Sequence, residues 1–130
     1  MQTRKTRWAV YNLNYHLVWI PKYRKSVLIG EVRDELEKLI KDVAKKHKIE
    51  IKSLSIQSDH VHLFVSAPPR LAPAKIVNLF KGITSKKLLE KFPKLRTQEG
   101  FWSRTYYVGS AGAVSEESIR RYIEDCQDMR

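Results

Sequence analysis

The sequence predicts an α+β fold, in which one antiparallel β-sheet carries two helices on one face and a further helix follows at the C-terminus. Three observations support this fold class. The chain of 130 residues has the length of a single domain with one core. Two internal segments repeat apolar residues at helical spacing, and the segment between them alternates at strand spacing. Strand and helix segments follow one another in the order βαββαβα.

The first half of the chain predicts a strand, a helix and a second strand. Branched and aromatic residues from Tyr11 to Ile20 indicate a strand that Pro21 ends. From Glu31 to His47 apolar residues recur at helical spacing, with lysines and acids on the opposite face. From Ile49 to Gln57 the alternation is that of a strand. The apolar positions of the predicted helix are Val32, Leu36, Leu39, Ile40 and Val43.

A β-hairpin is predicted next. The segment from His60 to Ser66 alternates strictly between apolar and other residues, and Ser58 and Asp59 form a tight turn from the preceding strand. The apolar face of the new strand consists of Val61, Leu63 and Val65. We expect that face to lie against the helices, which leaves the other face for a site.

The second half of the chain predicts a helix, a strand and a final helix. Pro73 precedes a helix from about Ala74 to Lys91. Aromatic residues from Phe101 to Val108 predict the last strand of the core. The segment from Gly109 to Gly112 predicts a flexible link, and the final helix starts near Ser115.

The first six elements have the order of a ferredoxin-like (RRM-like) fold, and the terminal helix is an addition to it. The expected organisation is therefore a single domain. Its parts are a ferredoxin-like core at residues 1–108, a glycine hinge at 109–114 and a C-terminal helix at 115–130.

The composition predicts a cytoplasmic protein that binds a polyanion. The formal net charge is +11, and nucleic acid is the commonest polyanion for a small basic protein, although a basic surface also occurs without such a partner. No apolar stretch is long enough for a membrane span, and no signal-peptide core follows the basic N-terminus. The one cysteine, Cys126, excludes an intrachain disulfide and a cysteine-based zinc cluster within one chain.

Two histidines on the hairpin form a candidate metal site. His60 and His62 are two residues apart on a predicted strand, so both side chains project from the same face. Two neutral imidazoles on one face can share a metal ion, although exposed polar histidines are an equally ordinary reading. Asp59 precedes the pair, where it either orients an imidazole or only satisfies the turn.

A tyrosine on the last helix is a second candidate. Ile119, Tyr122, Ile123 and Cys126 fall at the spacing of a buried stripe, so from spacing alone Tyr122 is more simply a core residue. The neighbouring Arg120 and Arg121 either hold a phosphate or are solvated. Spacing therefore leaves the role of this tyrosine open.

With these residues in view, the chain closely resembles the transposases of the smallest bacterial and archaeal insertion sequences. These are the single-tyrosine branch of the HUH nuclease superfamily, named for a histidine, a hydrophobic residue and a histidine. The resemblance covers nearly the whole chain in order. The matching stretches run from Tyr15 to Arg24, Asp59 to Phe64, Lys81 to Ser85, Phe101 to Gly109, and Tyr122 to Glu124.

The resemblance implies a metal-dependent DNA strand transferase. It implies that His60 and His62 bind Mg²⁺ or Mn²⁺ and that Tyr122 attacks single-stranded DNA to form a 5′-phosphotyrosine intermediate. The family usually places a glutamine ligand four residues after the tyrosine, but Cys126 stands there and Gln127 follows, so Gln127 is the candidate third ligand. The family is also homodimeric, exchanges its tyrosine helix between subunits, recognises hairpins at the element ends and uses no nucleotide cofactor.

Basic residues along the chain are candidates for contact with the DNA backbone. They are Arg4, Lys5, Arg7, Lys22, Arg24, Lys81, Arg104, Arg120 and Arg121. Two alternatives remain from the residues alone. One is a non-catalytic RNA- or DNA-binding module of ferredoxin-like fold, which predicts no metal dependence. The other is a metal-dependent hydrolase that uses the histidines with Asp59 and forms no covalent adduct.

Overall fold

The computed structural model describes residues 3–110 and 116–125 of the chain. A short ribbon comes first, formed by strands β1 (Arg4–Lys5) and β2 (Val10–Tyr11). The core strands are β3 (Asn14–Trp19), β4 (Glu50–Gln57), β5 (His60–Ser66) and β6 (Tyr107–Ser110), and the helices are α1 (Gly30–Lys46), α2 (Pro73–Lys91) and α3 (Glu116–Asp125).

The four core strands form one antiparallel sheet in the order β4-β5-β3-β6. The first and third core strands, β3 and β5, are therefore the two central ones. This is the strand order of the ferredoxin-like fold, so the predicted fold class is confirmed. The order matters for function because β5, which carries the two histidines, lies in the middle of the sheet.

Helices α1 and α2 cover one face of the sheet. Leu17 on β3 and Val61 and Leu63 on β5 are fully buried in the same cluster as the apolar stripe of α1. The predicted inward face of β5 is confirmed, and α1 begins and ends within one residue of its predicted bounds. Burial of such side chains contributes about 1.5 to 3 kcal/mol each, which accounts for the precise register of this strand.

The first core strand is shorter than predicted. It begins at Asn14 because Val10 and Tyr11 pair with the N-terminal strand β1 instead. It ends at Trp19, and beyond it Pro21 forms an isolated bridge to Trp102. Local β-propensity therefore located extended chain correctly but could not show which partner each part would take.

The last core strand is also displaced from its predicted place. Val18 pairs with Tyr107, and Pro21 pairs with Trp102. Between these two pairs, the segment that contains β3 has two residues (19 and 20), whereas the segment before β6 has four (103–106). The longer segment loops out, and the strand spans Tyr107–Ser110 rather than the predicted segment from Phe101 to Val108. Gly109 and Ser110 are strand residues, so the predicted link does not begin at Gly109; residues 111–114 lie outside the described part.

Helix α3 packs on the sheet face opposite α1 and α2. Tyr122 is only 9% exposed and lies against Val18 and Ile20, with Tyr107 and Ile123 at the edge of this second cluster. Ser115, near which the final helix was predicted to start, lies outside the described residues, as do Cys126 and Gln127. Within residues 3–110 and 116–125, no helix is long and apolar enough to cross a membrane.

Candidate active site

The two histidines of β5 lie on the sheet face that α3 shares. His62 stands opposite Val18 on one side and Ser55 on the other, and His60 stands opposite Gln57. Both are partly exposed, whereas Val61 between them is fully buried. Strand alternation produces this arrangement, because burial of Val61 and Leu63 turns the intervening side chains outward.

Asp59 contacts the first of these histidines. Its Oδ1 atom lies 3.0 Å from Nδ1 of His60, and its Oδ2 atom lies 3.4 Å from Nε of Arg24. A carboxylate that accepts the Nδ1 proton of an imidazole leaves the lone pair on Nε2, the nitrogen that is then available to a metal. The position of Asp59 thus fits the orienting role considered from the sequence.

A third histidine, which sequence reasoning missed, lies in the same site. Nδ1 of His16 on β3 is 3.0 Å from Nε2 of His62, and the His16 ring stacks on Phe64 at a centroid distance of 4.1 Å. In the register of the sheet His16 stands opposite Phe64, which makes it a diagonal neighbour of His62. The available signal was the position of His16 on a predicted strand, but only the pairing register shows that it reaches β5.

Burial favours the neutral form of the inner histidines. It lowers the pKa of His62, with smaller contributions from His16 and His60, and it also lowers the pKa of His16. Neutral imidazole is the form that binds a metal ion. The donor chemistry therefore fits a divalent cation, although no three His, Cys, Asp or Glu side chains converge on one point among residues 3–110 and 116–125.

Tyr122 lies on the histidine face of its own chain. Its ring packs on Val18, the residue of β3 that pairs with His62 on one side and with Tyr107 on the other. The Tyr122 hydroxyl is hydrogen-bonded to the Thr105 hydroxyl at 3.0 Å. Thr105 belongs to the looped segment beside β6, so the hydroxyl points to the far side of β3 from the histidines.

A half-buried lysine holds that looped segment in place. Nζ of Lys81 on α2 donates to the carbonyl oxygens of Ser103 at 2.6 Å and Thr105 at 3.2 Å. The hydroxyls of Ser103 and Thr105 are themselves 3.0 Å apart. Burial, and to a lesser extent the charge of Lys22, lowers the pKa of Lys81 to about 8. Both lysines were expected on a DNA-binding surface, but Lys22 is 8% exposed and Lys81 is bound to the backbone.

Arg24 connects the histidine turn to α3. Its guanidinium contacts Asp59 and also donates to the Ile123 carbonyl oxygen at 3.5 Å. The backbone turns sharply at Tyr23 and Arg24, where φ is 58° and 50°. This left-handed conformation is unfavourable for residues other than glycine. The Tyr23 hydroxyl donates to the Glu99 carboxylate. Arg24 was expected to bind DNA, and in the structure its guanidinium links α3 to Asp59.

The remaining predicted DNA contacts fall into two groups. Arg4, Lys5 and Arg7 line a groove of about 540 Å³ together with Lys48 and Arg70. Arg104, Arg120 and Arg121 are exposed.

The groove combines positive charge with aromatic surface. Arg4 is held there by the Ser66 and Lys48 carbonyl oxygens, at 2.9 Å each. Trp8, which is 83% exposed, lies beside it under the Arg7 guanidinium at 4.8 Å. A cationic groove with an exposed aromatic ring beside it is typical of single-strand nucleic-acid binding.

Comparison with known proteins identifies the family. The family model described as IS200-like transposase matches residues 9–126. The chain is 33% identical over 131 residues to the ISDra2 transposase TnpA of Deinococcus radiodurans, with 98% of this chain and 94% of the relative covered. It is 31% identical over 127 residues to the transposase for insertion sequence element IS200 of Salmonella typhimurium, with 92% and 81% covered.

Solved structures agree with this result. A crystal structure of a candidate transposase from Deinococcus radiodurans R1 has a TM-score of 0.86 at 34% identity, covering 98% of this chain and 99% of that one. A tyrosine transposase bound to a REP hairpin has a TM-score of 0.57 at 12% identity, covering 95% and 69%, which is a likeness of fold. The chain belongs to the IS200-like transposase family.

Proposed function

We propose that this transposase cuts and rejoins single-stranded DNA with Tyr122 as the nucleophile and with His60 and His62 as ligands of a divalent metal, Mg²⁺ or Mn²⁺. One observation carries the proposal: α3 packs Tyr122 on the same sheet face, and against the same strand neighbour, as His62. The proposed nucleophile and the proposed metal ligands therefore belong to one surface of the same chain.

The chemistry assigned to these side chains is a transesterification. The Tyr122 hydroxyl gives its proton to water as its oxygen attacks the scissile phosphorus, and the bond from phosphorus to the 3′ oxygen breaks. The leaving 3′ oxygen takes up a proton from water and becomes a free 3′ hydroxyl. A bound divalent ion supplies stabilisation of the negative charge that develops on the phosphate. Attack by another 3′ hydroxyl on the phosphotyrosine reverses the step and joins DNA without ATP.

The protein residues around the site have separate tasks in this proposal. His60 and His62 hold the ion through neutral imidazoles, and Asp59 keeps the proton of His60 on Nδ1. Gln127 lies beyond the described residues and remains a proposed further ligand. Since Thr105 binds the Tyr122 hydroxyl on the far side of β3, the hydroxyl must leave this partner before it attacks.

The N-terminal groove is the proposed binding surface for the folded part of the DNA. Hairpin recognition is supported by the fold likeness to a tyrosine transposase bound to a REP hairpin. Arg4, Lys5 and Arg7 line the groove, where cations can neutralise phosphates, and Trp8 offers a stacking surface. Arg120 and Arg121 lie on α3, and Arg104 lies in the looped segment before β6. These three arginines are proposed to contact the strand at the cleavage site.

A homodimer is part of the same proposal, together with a hinge that lets α3 change subunits. The contacts of α3 in the single chain support a resting arrangement in which each subunit carries its own tyrosine, because Tyr122 packs on Val18 and Ile20 of the same sheet. Mixing His60→Ala with Tyr122→Phe protein tests exchange. Restored cleavage indicates sites shared between subunits, and no restoration indicates sites within one subunit.

The decisive experiment for the function is a denaturing gel of the protein with labelled single-stranded hairpin DNA, with and without Mn²⁺. We expect a protein–DNA adduct that needs both the ion and Tyr122. Metal-dependent cutting without an adduct would instead indicate a hydrolase. Binding without any cutting would indicate a nucleic-acid-binding module.

A further inference from the structure

We propose that the open face of the sheet holds one unpaired DNA base, stacked on Phe64 of β5 above Ser53 of β4. This inference rests on the proposed function, because it places the base beside the histidines that are proposed to act at the scissile phosphate. The occupant belongs to the single strand, whereas the N-terminal groove is assigned to the folded part of the DNA. Neither the histidine pattern nor the comparisons give Phe64 or Ser53 a role.

The first argument is that Phe64 is not a core residue. Its neighbours Leu63 and Val65 are fully buried on the face that the helices cover, so Phe64 points to the opposite face. It is partly exposed there, and it belongs to neither of the two core clusters that residues 3–110 and 116–125 form. Packing in the core therefore does not account for an aromatic ring at this central position of the sheet.

The second argument is that the Phe64 ring is held upright with one face uncovered. It stacks on the His16 ring of β3 at a centroid distance of 4.1 Å and an interplanar angle of 15°. The two residues stand opposite each other on adjacent strands, so rings stacked across this gap stand nearly perpendicular to the sheet. His16 covers one face of the Phe64 ring. The other face points toward β4, and no second aromatic ring of the described residues contacts it.

The third argument is that only a small side chain stands beside that uncovered face. Ser53 lies opposite Phe64 and is exposed. A β-bulge produces this register, because pairing that continued from Ile51 without it would place Lys52 opposite Phe64. Stacked rings lie about 3.4 Å apart and neighbouring strands about 4.8 Å apart, so a base stacked on Phe64 lies above Ser53. We call this space the Phe64 slot.

The Phe64 slot is continuous with the proposed active site. Alternate residues of a strand are roughly 7 Å apart, so Phe64 lies about that far from His62 along β5. On β4 the outward side chains are polar, and Gln57 donates to the Ser55 hydroxyl at 3.0 Å. The outward residues Ser53, Ser55 and Gln57 stand opposite Phe64, His62 and His60. A strand whose phosphate lies at His62 therefore brings a neighbouring base to the slot.

The chemistry of the slot favours a base over a second copy of the chain. An aromatic ring with polar groups beside it binds single strands in a sequence-tolerant way, because every base has a π-face. A base in a duplex is already stacked and paired, so the occupant must be unpaired. A net charge of +11 attracts a polyanion and repels another copy of the same protein.

The first test measures the affinity of the full-length protein for a fluorescein-labelled thymine oligonucleotide in EDTA, by fluorescence anisotropy at several salt concentrations. Phe64→Leu removes the ring and keeps an apolar side chain, and we expect binding at least about fivefold weaker. No phosphate contact is lost, so the slope of log Kd against log salt should stay the same. Phe64→Tyr keeps the ring and should bind like the unchanged protein. Unchanged affinity in Phe64→Leu would overturn the proposal.

A second pair of variants tests the slot without touching the ring. Ser53→Leu fills the space beside Phe64 and should also weaken binding at least about fivefold. Ser53→Ala is the matched control, because it leaves the space open, and its affinity should be normal. Equal affinities in these two variants would overturn the slot. An altered mass of the assembly in Phe64→Leu, with DNA binding unchanged, would mean that a second copy occupies this face, and the proposal would fail.

The last measurement does not depend on the folding of any variant. The unchanged protein is irradiated with a thymine oligonucleotide that carries 5-iodouracil, which cross-links to aromatic rings on which it stacks. We expect a cross-link to Phe64, within the tryptic peptide of residues 53–70. Cross-links at other residues alone would overturn the slot and leave the proposed function standing. If the unchanged protein bound no single-stranded DNA, the proposed function would fail as well.

Discussion

Replacing Tyr122 with phenylalanine separates a catalytic tyrosine from a structural one. The substitution removes one oxygen and keeps the ring that packs on Val18 and Ile20. The structural loss is the hydrogen bond to Thr105 at 3.0 Å, and a neutral hydrogen bond contributes about 0.5 to 1.5 kcal/mol. Thr105 is partly exposed, so water can replace the lost partner and the cost should lie at the low end of that range.

The expected result for Tyr122→Phe is a small stability change with complete loss of strand cleavage. A loss of about 0.5 kcal/mol lowers the melting temperature by roughly 2 °C for a domain of this size. Urea denaturation measures the stability, and a labelled oligonucleotide on a denaturing gel measures cleavage. Tyr107→Phe is the matched control, because its ring lies beside Tyr122 at a centroid distance of 6.4 Å and should be dispensable for cleavage. Cleavage by Tyr122→Phe above about a hundredth of the normal rate would refute the reasoning.

Three further predictions concern the histidine site, the N-terminal groove and the half-buried Lys81. Either His60→Ala or His62→Ala should abolish metal-dependent cleavage without unfolding the protein, because both side chains are partly exposed. The control variant His47→Ala should cleave normally. Full cleavage activity in His62→Ala would contradict the assignment of His62 as a metal ligand. Affinity for hairpin DNA should fall steeply with salt, and Arg7→Ala should reduce the slope of log Kd against log salt by about one, which an unchanged slope would contradict. Folding lowers the pKa of Lys81 from 10.5 to about 8, so between these pH values the unfolded chain binds more protons than the folded one. The free energy of unfolding should therefore rise from pH 8 to pH 10.5. A rise of the same size in Lys81→Met would show that Lys81 is not its cause.

The sequence predicted correctly those helices and strands whose buried residues recur at a regular spacing along the chain. The stripe of α1 and the alternation of β5 located these elements closely, because a shift of one residue would expose Val61 and Leu63. The fold class followed from the order of such elements. The orientation of His60 and His62 could also be predicted, because side chains that alternate with buried ones on a strand point to the opposite face.

Features set by pairing between distant segments could not be predicted. The last strand was misplaced because residues 103–106 loop out beside β3, which no local pattern shows. His16 was missed as a neighbour of His62 for the same reason, since only the register of β3 with β5 brings them together. Lys81 was assigned to DNA from its charge, yet the displaced segment supplies carbonyl oxygens that hold it inside the fold.

The most direct test of the central claim is to map the residue that carries DNA in the trapped covalent adduct. After nuclease digestion, trypsin should cut beyond Arg121 and release residues 122–130, in which Tyr122 is the only tyrosine. The competing Tyr106 and Tyr107 fall in a different peptide, residues 105–120. We expect the mass of the attached nucleotide on the peptide that contains Tyr122. Attachment to any other residue, or strand cleavage with no attached nucleotide, would contradict it.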